Sequence, residues 1–207
     1  MRVQHARPGF GPQPIFFEII LPHFHRSKRR LATAFLGSAC EQWINGECFI
    51  AVCKARQTFW VRPERHKHDL VLYASGEDDP SGGRGPALII ETKVVYSSES
   101  LQSQDIKLKK LREQLRQAAK RFPQAKVVGF LVSFEWSYKV RGEYLTPGCS
   151  RRGPFRTANE RRQRGLVNAF GHINGGARIV VKDAKLQMGE NRYKVTAKLE
   201  MLGVPRS

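Results

Sequence analysis

The stretch ALIIETKVVYS, residues 87–97, decides how the rest of the chain is read. Its branched and aromatic residues predict a strand buried on both faces, yet two charged residues stand inside it. Because side chains alternate along a strand, Glu91 and Lys93 must share one face while Thr92 points to the other. A carboxylate and an ammonium set among Val and Ile cost desolvation energy unless they are paired or bound. A second short apolar run, DLVLYA (69–74), opens on Asp69. If the two runs form an antiparallel hairpin, the acidic, glycine-rich SGEDDPSGGRGP (75–86) turns the chain and Asp69 falls close to Glu91. A divalent cation held by Asp69 and Glu91 would then satisfy both carboxylates. Asp78 and Asp79 in the turn read as a solvated excursion, not a second metal site.

Outward from this pair, residues 1–26 are rich in Pro, Gly and aromatics, and their apolar run IFFEII reads as a short strand or an arm packed on the core. Ser27 is a plausible N-cap for a helix over 28–45 carrying Leu31, Ala34 and Phe35, with Asn45-Gly46 as its stop. ECFIAVCKA (47–55) reads as a strand and QTFWVRPERHKH (57–68) as a connection. Leu108, Leu111, Leu115, Ala118 and Phe122 mark an amphipathic helix over 100–122, closed by Pro123. AKVVGFLVSFEW (125–136) is another buried strand. The order helix, three strands, helix, strand argues for an α/β fold with a mixed central sheet flanked by helices. Three segments are expected: an arm (1–26), a core (27–135) and a basic C-terminal extension (136–207). The extension reads as a helix (157–170) and a β-hairpin made of ARIVVKDAKLQM and RYKVTAKLEML, which could extend the sheet, dimerise or shield an edge.

The chain of 207 residues carries 36 Lys and Arg against 18 Asp and Glu, a formal charge of +18. Such an excess points to a polyanionic partner, most often nucleic acid, whose counterions are released on binding. Residues 136–207 hold 15 basic and 5 acidic side chains, so the extension is expected to grip the backbone, and its deletion to flatten the salt dependence before touching the chemistry. No run approaches the roughly 20 apolar residues of a membrane span, and prolines interrupt the N-terminus before a signal-like stretch develops. A cytoplasmic protein is expected, nucleoid-associated in a prokaryote, with no membrane partner. Cys40, Cys48, Cys53 and Cys149 form no CxxC pair and read as buried thiols. The pairs His23/His25 and His66/His68, without paired cysteines, do not make a zinc site.

Asp69 followed by Glu91-Thr92-Lys93 resembles the PD-(D/E)xK nuclease superfamily, the restriction-endonuclease-like fold, over residues 27–135. The elements fall in that family's αβββαβ order, although His68 stands where a proline is usual. LGSACEQWINGECFIAV (36–52) is similar to the opening helix of the Holliday-junction resolvase branch, which makes Glu41 the helix-borne glutamate. Helical phase independently places Glu41 about 60° from the centre of the apolar stripe, at its edge. The resemblance implies a metal-dependent endonuclease hydrolysing phosphodiester bonds in DNA, and the resolvase-like helix brings branched or structured DNA among the candidate substrates. Asp69, Glu91, the Thr92 carbonyl and Glu41 would hold Mg²⁺ or Mn²⁺, hard cations that take oxygen ligands. Lys93 would orient or deprotonate the attacking water, and Gln114 would stand near the site. Lys28, Arg29, Arg30, Arg151, Arg152, Arg156, Arg161, Arg162 and Arg164 are the candidate phosphate contacts. Cutting both strands favours a homodimer or a larger DNA-processing complex. The rival expectation is a non-catalytic nucleic-acid-binding module of a larger complex built on the same fold.

Overall fold

The structure, a computed structural model, describes residues 11–36, 40–55, 59–63, 68–74, 85–96, 99–145, 170–185 and 191–205. The N-terminal arm packs on the core as expected, but as helix: α1 (Pro12–Pro14) runs through a π-helical segment (Ile15–Ile20) into α2 (Leu21–Arg26). Periodicity explains why IFFEII is not a strand. Ile15, Phe16, Ile19, Ile20, His23 and Phe24 are buried while Phe17, Glu18, His25 and Arg26 are exposed, the spacing of one helical face. Pro22 has no N–H to offer a carbonyl one turn back. Just before it the Leu21 N–H reaches Phe16 O, five residues back, which is the π-helical pattern.

Two helices follow, α3 (Lys28–Leu36) and α4 (Cys40–Lys54). Of the single helix expected over 28–45, residues 28–36 and 40–45 are helical, and the strand expected at ECFIAVCKA is the second half of α4. Asn45-Gly46 does not stop this helix: Gly46 is exposed with nothing within 4 Å of a Cβ position, so its cost is backbone entropy alone. Ile44, Cys48, Ala51 and Val52 are buried at helical spacing and outweigh that cost. Cys48 is buried as expected, but Cys53 is exposed.

The first strand, β1 (Phe59–Pro63), comes instead from the segment read as a connection. It pairs antiparallel with β2 (Leu70–Ala74), which pairs antiparallel with β3 (Leu88–Tyr96), Leu70 standing opposite Ile90. The expected hairpin is thus present. Helix α5 (Leu101–Arg121) is capped by Ser100, whose Oγ accepts from the Ser103 N–H at 3.2 Å. It crosses back to β4 (Lys126–Val140), parallel to β3. Gly129 lets α5 lie close to the sheet, because a Cβ there would meet Leu115 at 3.2 Å and Leu111 at 3.4 Å. The short β5 (Glu143–Leu145) pairs with β4, and the hairpin of β6 (Gly171–Lys185) and β7 (Arg192–Gly203) completes a mixed sheet ordered β1-β2-β3-β4-β7-β6.

The C-terminal hairpin therefore extends the central sheet. β7 follows β4 from Val128 opposite Gly203 to Tyr138 opposite Tyr193, so position 135–136 falls inside a continuous paired strand. The helix expected at 157–170 lies outside the described residues except for Phe170. Two cores lie on opposite faces of the sheet. Ile90, Val94 and Phe130 join Phe16 and Phe24 on the face covered by α2, α3 and α4, while Ile89, Val95 and Leu131 meet Leu108, Leu111 and Leu115 of α5. Each such buried side chain contributes about 1.5–3 kcal/mol of transfer free energy. Among the described residues no helix is long and apolar enough to cross a membrane.

Candidate active site

The β2–β3 ladder ends at Leu70–Ile90. Beyond it, the Thr92 and Val94 N–H groups still point to the side that β2 has left, since alternate residues of a strand bond to the same side. Carboxylates take the place of the missing strand. Asp69 Oδ2 accepts from the Thr92 N–H at 2.7 Å, and Glu41 Oε2 accepts from the Val94 N–H at 3.3 Å. Glu41 stands in the first turn of α4, where the helix dipole favours a negative charge. Its Oε1 accepts from Lys93 Nζ at 2.9 Å.

Glu91 is fully buried on the α5 side of the sheet. Its Oε1 contacts His68 Nδ1, and its Oε2 accepts from Gln114 Nε2 of α5 at 3.4 Å. Burial, and next the neighbouring Asp69 carboxylate, push the Glu91 carboxyl up to about 8, against the opposing pull of Lys93 and of the Asp69 backbone N–H. Asp69 is raised as well, chiefly by burial; the Thr92 N–H, Lys93 and an Asn45 side-chain hydrogen bond resist this, while Glu41 adds to it. Among the described residues three carboxyl groups thus face the Lys93 ammonium, with Glu91 fully buried and Glu41 partly exposed.

The residues singled out in the sequence, Glu41, Asp69, Glu91, Thr92, Lys93 and Gln114, come from α4, the entry to β2, β3 and α5 and meet at one edge of β3. Lys28, Arg29 and Arg30 do not join them. They are exposed on the first turn of α3, and Arg30 donates to the buried Glu47 Oε1 at 2.5 Å and lies 5.9 Å from the Trp43 ring centre. Arg151, Arg152, Arg156, Arg161, Arg162 and Arg164 lie outside the described residues, as do His66, Asp78 and Asp79. Two members of the site escaped the sequence reading. His68 holds Glu91, and Asn45 bonds Asp69; the signal for Asn45 was its place one turn after Glu41 on the same face of α4.

Among the described residues no three His, Cys, Asp or Glu side chains converge as a ready metal cage. Donor chemistry nevertheless suits a hard divalent cation, with carboxylate and peptide oxygens and an excess of negative charge that such an ion would relieve. The buried Gln114 Oε1 and Asn45 Oδ1, on the side chains that touch Glu91 and Asp69, have no hydrogen-bond partner among the described residues. Each is an oxygen able to accept from a water in such an ion's outer shell. No family model, no curated protein and no solved structure matches the chain.

Proposed function

We propose that this protein is a divalent-metal-dependent endonuclease acting on DNA, with a core of the restriction-endonuclease-like type. The observation that carries the reading is the meeting of Asp69, Glu91, Lys93 and Glu41, drawn from three separate parts of the fold, at the edge of β3 just past the end of β2. Asp69, Glu91, the Thr92 carbonyl and Glu41 would hold Mg²⁺ or Mn²⁺, which when bound would acidify a water and neutralise charge on the phosphate. The protein's own groups do the rest. The Thr92 N–H fixes the Asp69 carboxylate, and His68 and Gln114 fix Glu91. Lys93, held by Glu41, would orient the attacking water and donate to a phosphate oxygen. The charge of +18 supplies attraction for the substrate.

One observation favours a second reading, a non-catalytic DNA-binding module. Each carboxylate of the cluster already has a partner within the protein, so the cluster could serve only to finish the edge of β3. A cleavage assay separates the two. Lys93→Ala and Asp69→Ala should each abolish Mg²⁺-dependent cutting of supercoiled, linear and four-way DNA while leaving DNA binding largely intact. Cutting retained in both variants, or absent from the wild type on all these substrates, would overturn the nuclease reading.

A further inference from the structure

Helix α5 carries a polar stripe that leads to the carboxylate cluster. At 100° per residue, Lys107, Lys110, Gln114, Gln117 and Arg121 lie within an arc of about 80°. Its position is fixed by two contacts: Lys107 Nζ donates to Val94 O at 3.2 Å, and Gln114 Nε2 donates to Glu91. The stripe therefore runs along the same edge of β3 that holds Glu41, Asp69 and Lys93. Lys110 and Arg121 on this flank are exposed. Neither has a carboxylate partner among the described residues, although Lys107 pairs with Glu99, just ahead of the helix, and Lys109 with Asp105 within it. Arg121 is also tied to the site through rings: its guanidinium lies 5.2 Å from the Phe122 ring centre, and that ring meets His68 edge-on at 6.0 Å.

We infer that Lys110 and Arg121 grip the backbone of one DNA strand on either side of the carboxylate cluster. Eleven residues of helix separate them by about 17 Å, with Gln114 about 6 Å from Lys110 along the axis. That span reaches across a few successive phosphates of one strand, and Gln114, which touches Glu91, sits inside it. The two cations would hold the strand in register while Lys93 and the carboxylates act between them. Which phosphate lies at the cluster rests on the nuclease reading; the grip itself does not.

The test compares two charge-matched variants in the full-length protein, Lys110→Gln/Arg121→Gln and Lys109→Gln/Arg116→Gln. The second pair lies about 120° or more round the same helix. Binding to a DNA duplex is measured with chelator present, across a salt series, so that no cleavage is needed. The first variant should bind tenfold or more weakly, with the slope of log K against log salt reduced by about 2, one phosphate for each cation. The second should stay within about threefold of wild type. Equal losses in the two variants, no loss in the first, or a loss seen with duplex RNA but not DNA would overturn the inference. Thermal melts of both variants should stay close to the wild type, since all four side chains are exposed and the Lys109–Asp105 pair and the Arg121–Phe122 contact that are lost lie at the surface. A wild type that binds in this way but never cuts would refute the nuclease reading and leave the grip standing.

Discussion

Replacing Glu91 by Gln should make the metal-free protein more stable, and by an amount that grows with pH. Glu91 is wholly buried, and its carboxyl is raised from 4.5 to about 8. Between those two values the folded state holds a proton that the unfolded chain has released, so stability falls as pH rises through this window. At about 1.4 kcal/mol for each tenfold change, the loss is roughly 3 kcal/mol by pH 7 and roughly 5 kcal/mol above pH 8. Gln cannot ionise and escapes this loss. Urea unfolding at pH 5, 7 and 8.5 in chelator is the assay. With a slope of about 1–3 kcal/mol per molar urea, the variant's midpoint should gain at least 1 M on the wild type between pH 5 and pH 8.5. Millimolar Mg²⁺ should then stabilise the wild type at pH 8.5 and leave Glu91→Gln unmoved, because only the ionised site rewards a cation. A stability difference that stays within about 1 kcal/mol across the whole range would refute the claim that burial and Asp69 hold this carboxyl protonated.

Two further perturbations probe the helical half of the molecule. Glu47, 2% exposed, accepts from Arg30 and lies 2.5 Å from His23 Nε2; Glu47→Leu should destabilise by about 1–3 kcal/mol by leaving the buried His23 without its partner, read as a lower melting temperature that double substitution with His23→Phe partly restores. Gly46→Ala should stabilise by about 0.5–1 kcal/mol, since the site is exposed and open within α4; a loss of stability on chemical denaturation would mean that residues 45–46 end a helix after all.

The strands that carry the carboxylate cluster were readable because their signal is local. Asp69 opening one apolar run and Glu91 and Lys93 interrupting another are visible without any contact, and alternation alone placed Glu91 and Lys93 on one face. The amphipathic pattern of α5 was equally clear, since Leu108, Leu111, Leu115 and Ala118 all turn inward. The N-terminal half misled for a physical reason. IFFEII and ECFIAVCKA are short and rich in strand-forming residues, so propensity outvoted the helical spacing of Ile15, Ile19 and His23, and of Ile44, Cys48 and Val52. Packing of that face against Phe130 and its neighbours decides the matter, and no local rule sees it. The same error hid Asn45, taken for a helix stop when it is the side chain that bonds Asp69. The strand FWVRP was missed because its proline and flanking charges suit a loop; as an edge strand it tolerates both.

β4 has a parallel neighbour from the residues before it and an antiparallel one from the residues after it. The chain is therefore not divisible at the point where its charge density changes. Cutting it at 135 would strip β7 from the middle of the sheet and leave Val128, Phe130, Val132 and Phe134 along an open edge that invites strand-to-strand aggregation. The basic tail cannot be shed to test its grip, as the composition suggested. It has to be neutralised residue by residue, because the last strand of the chain walls in the strand beside the carboxylates.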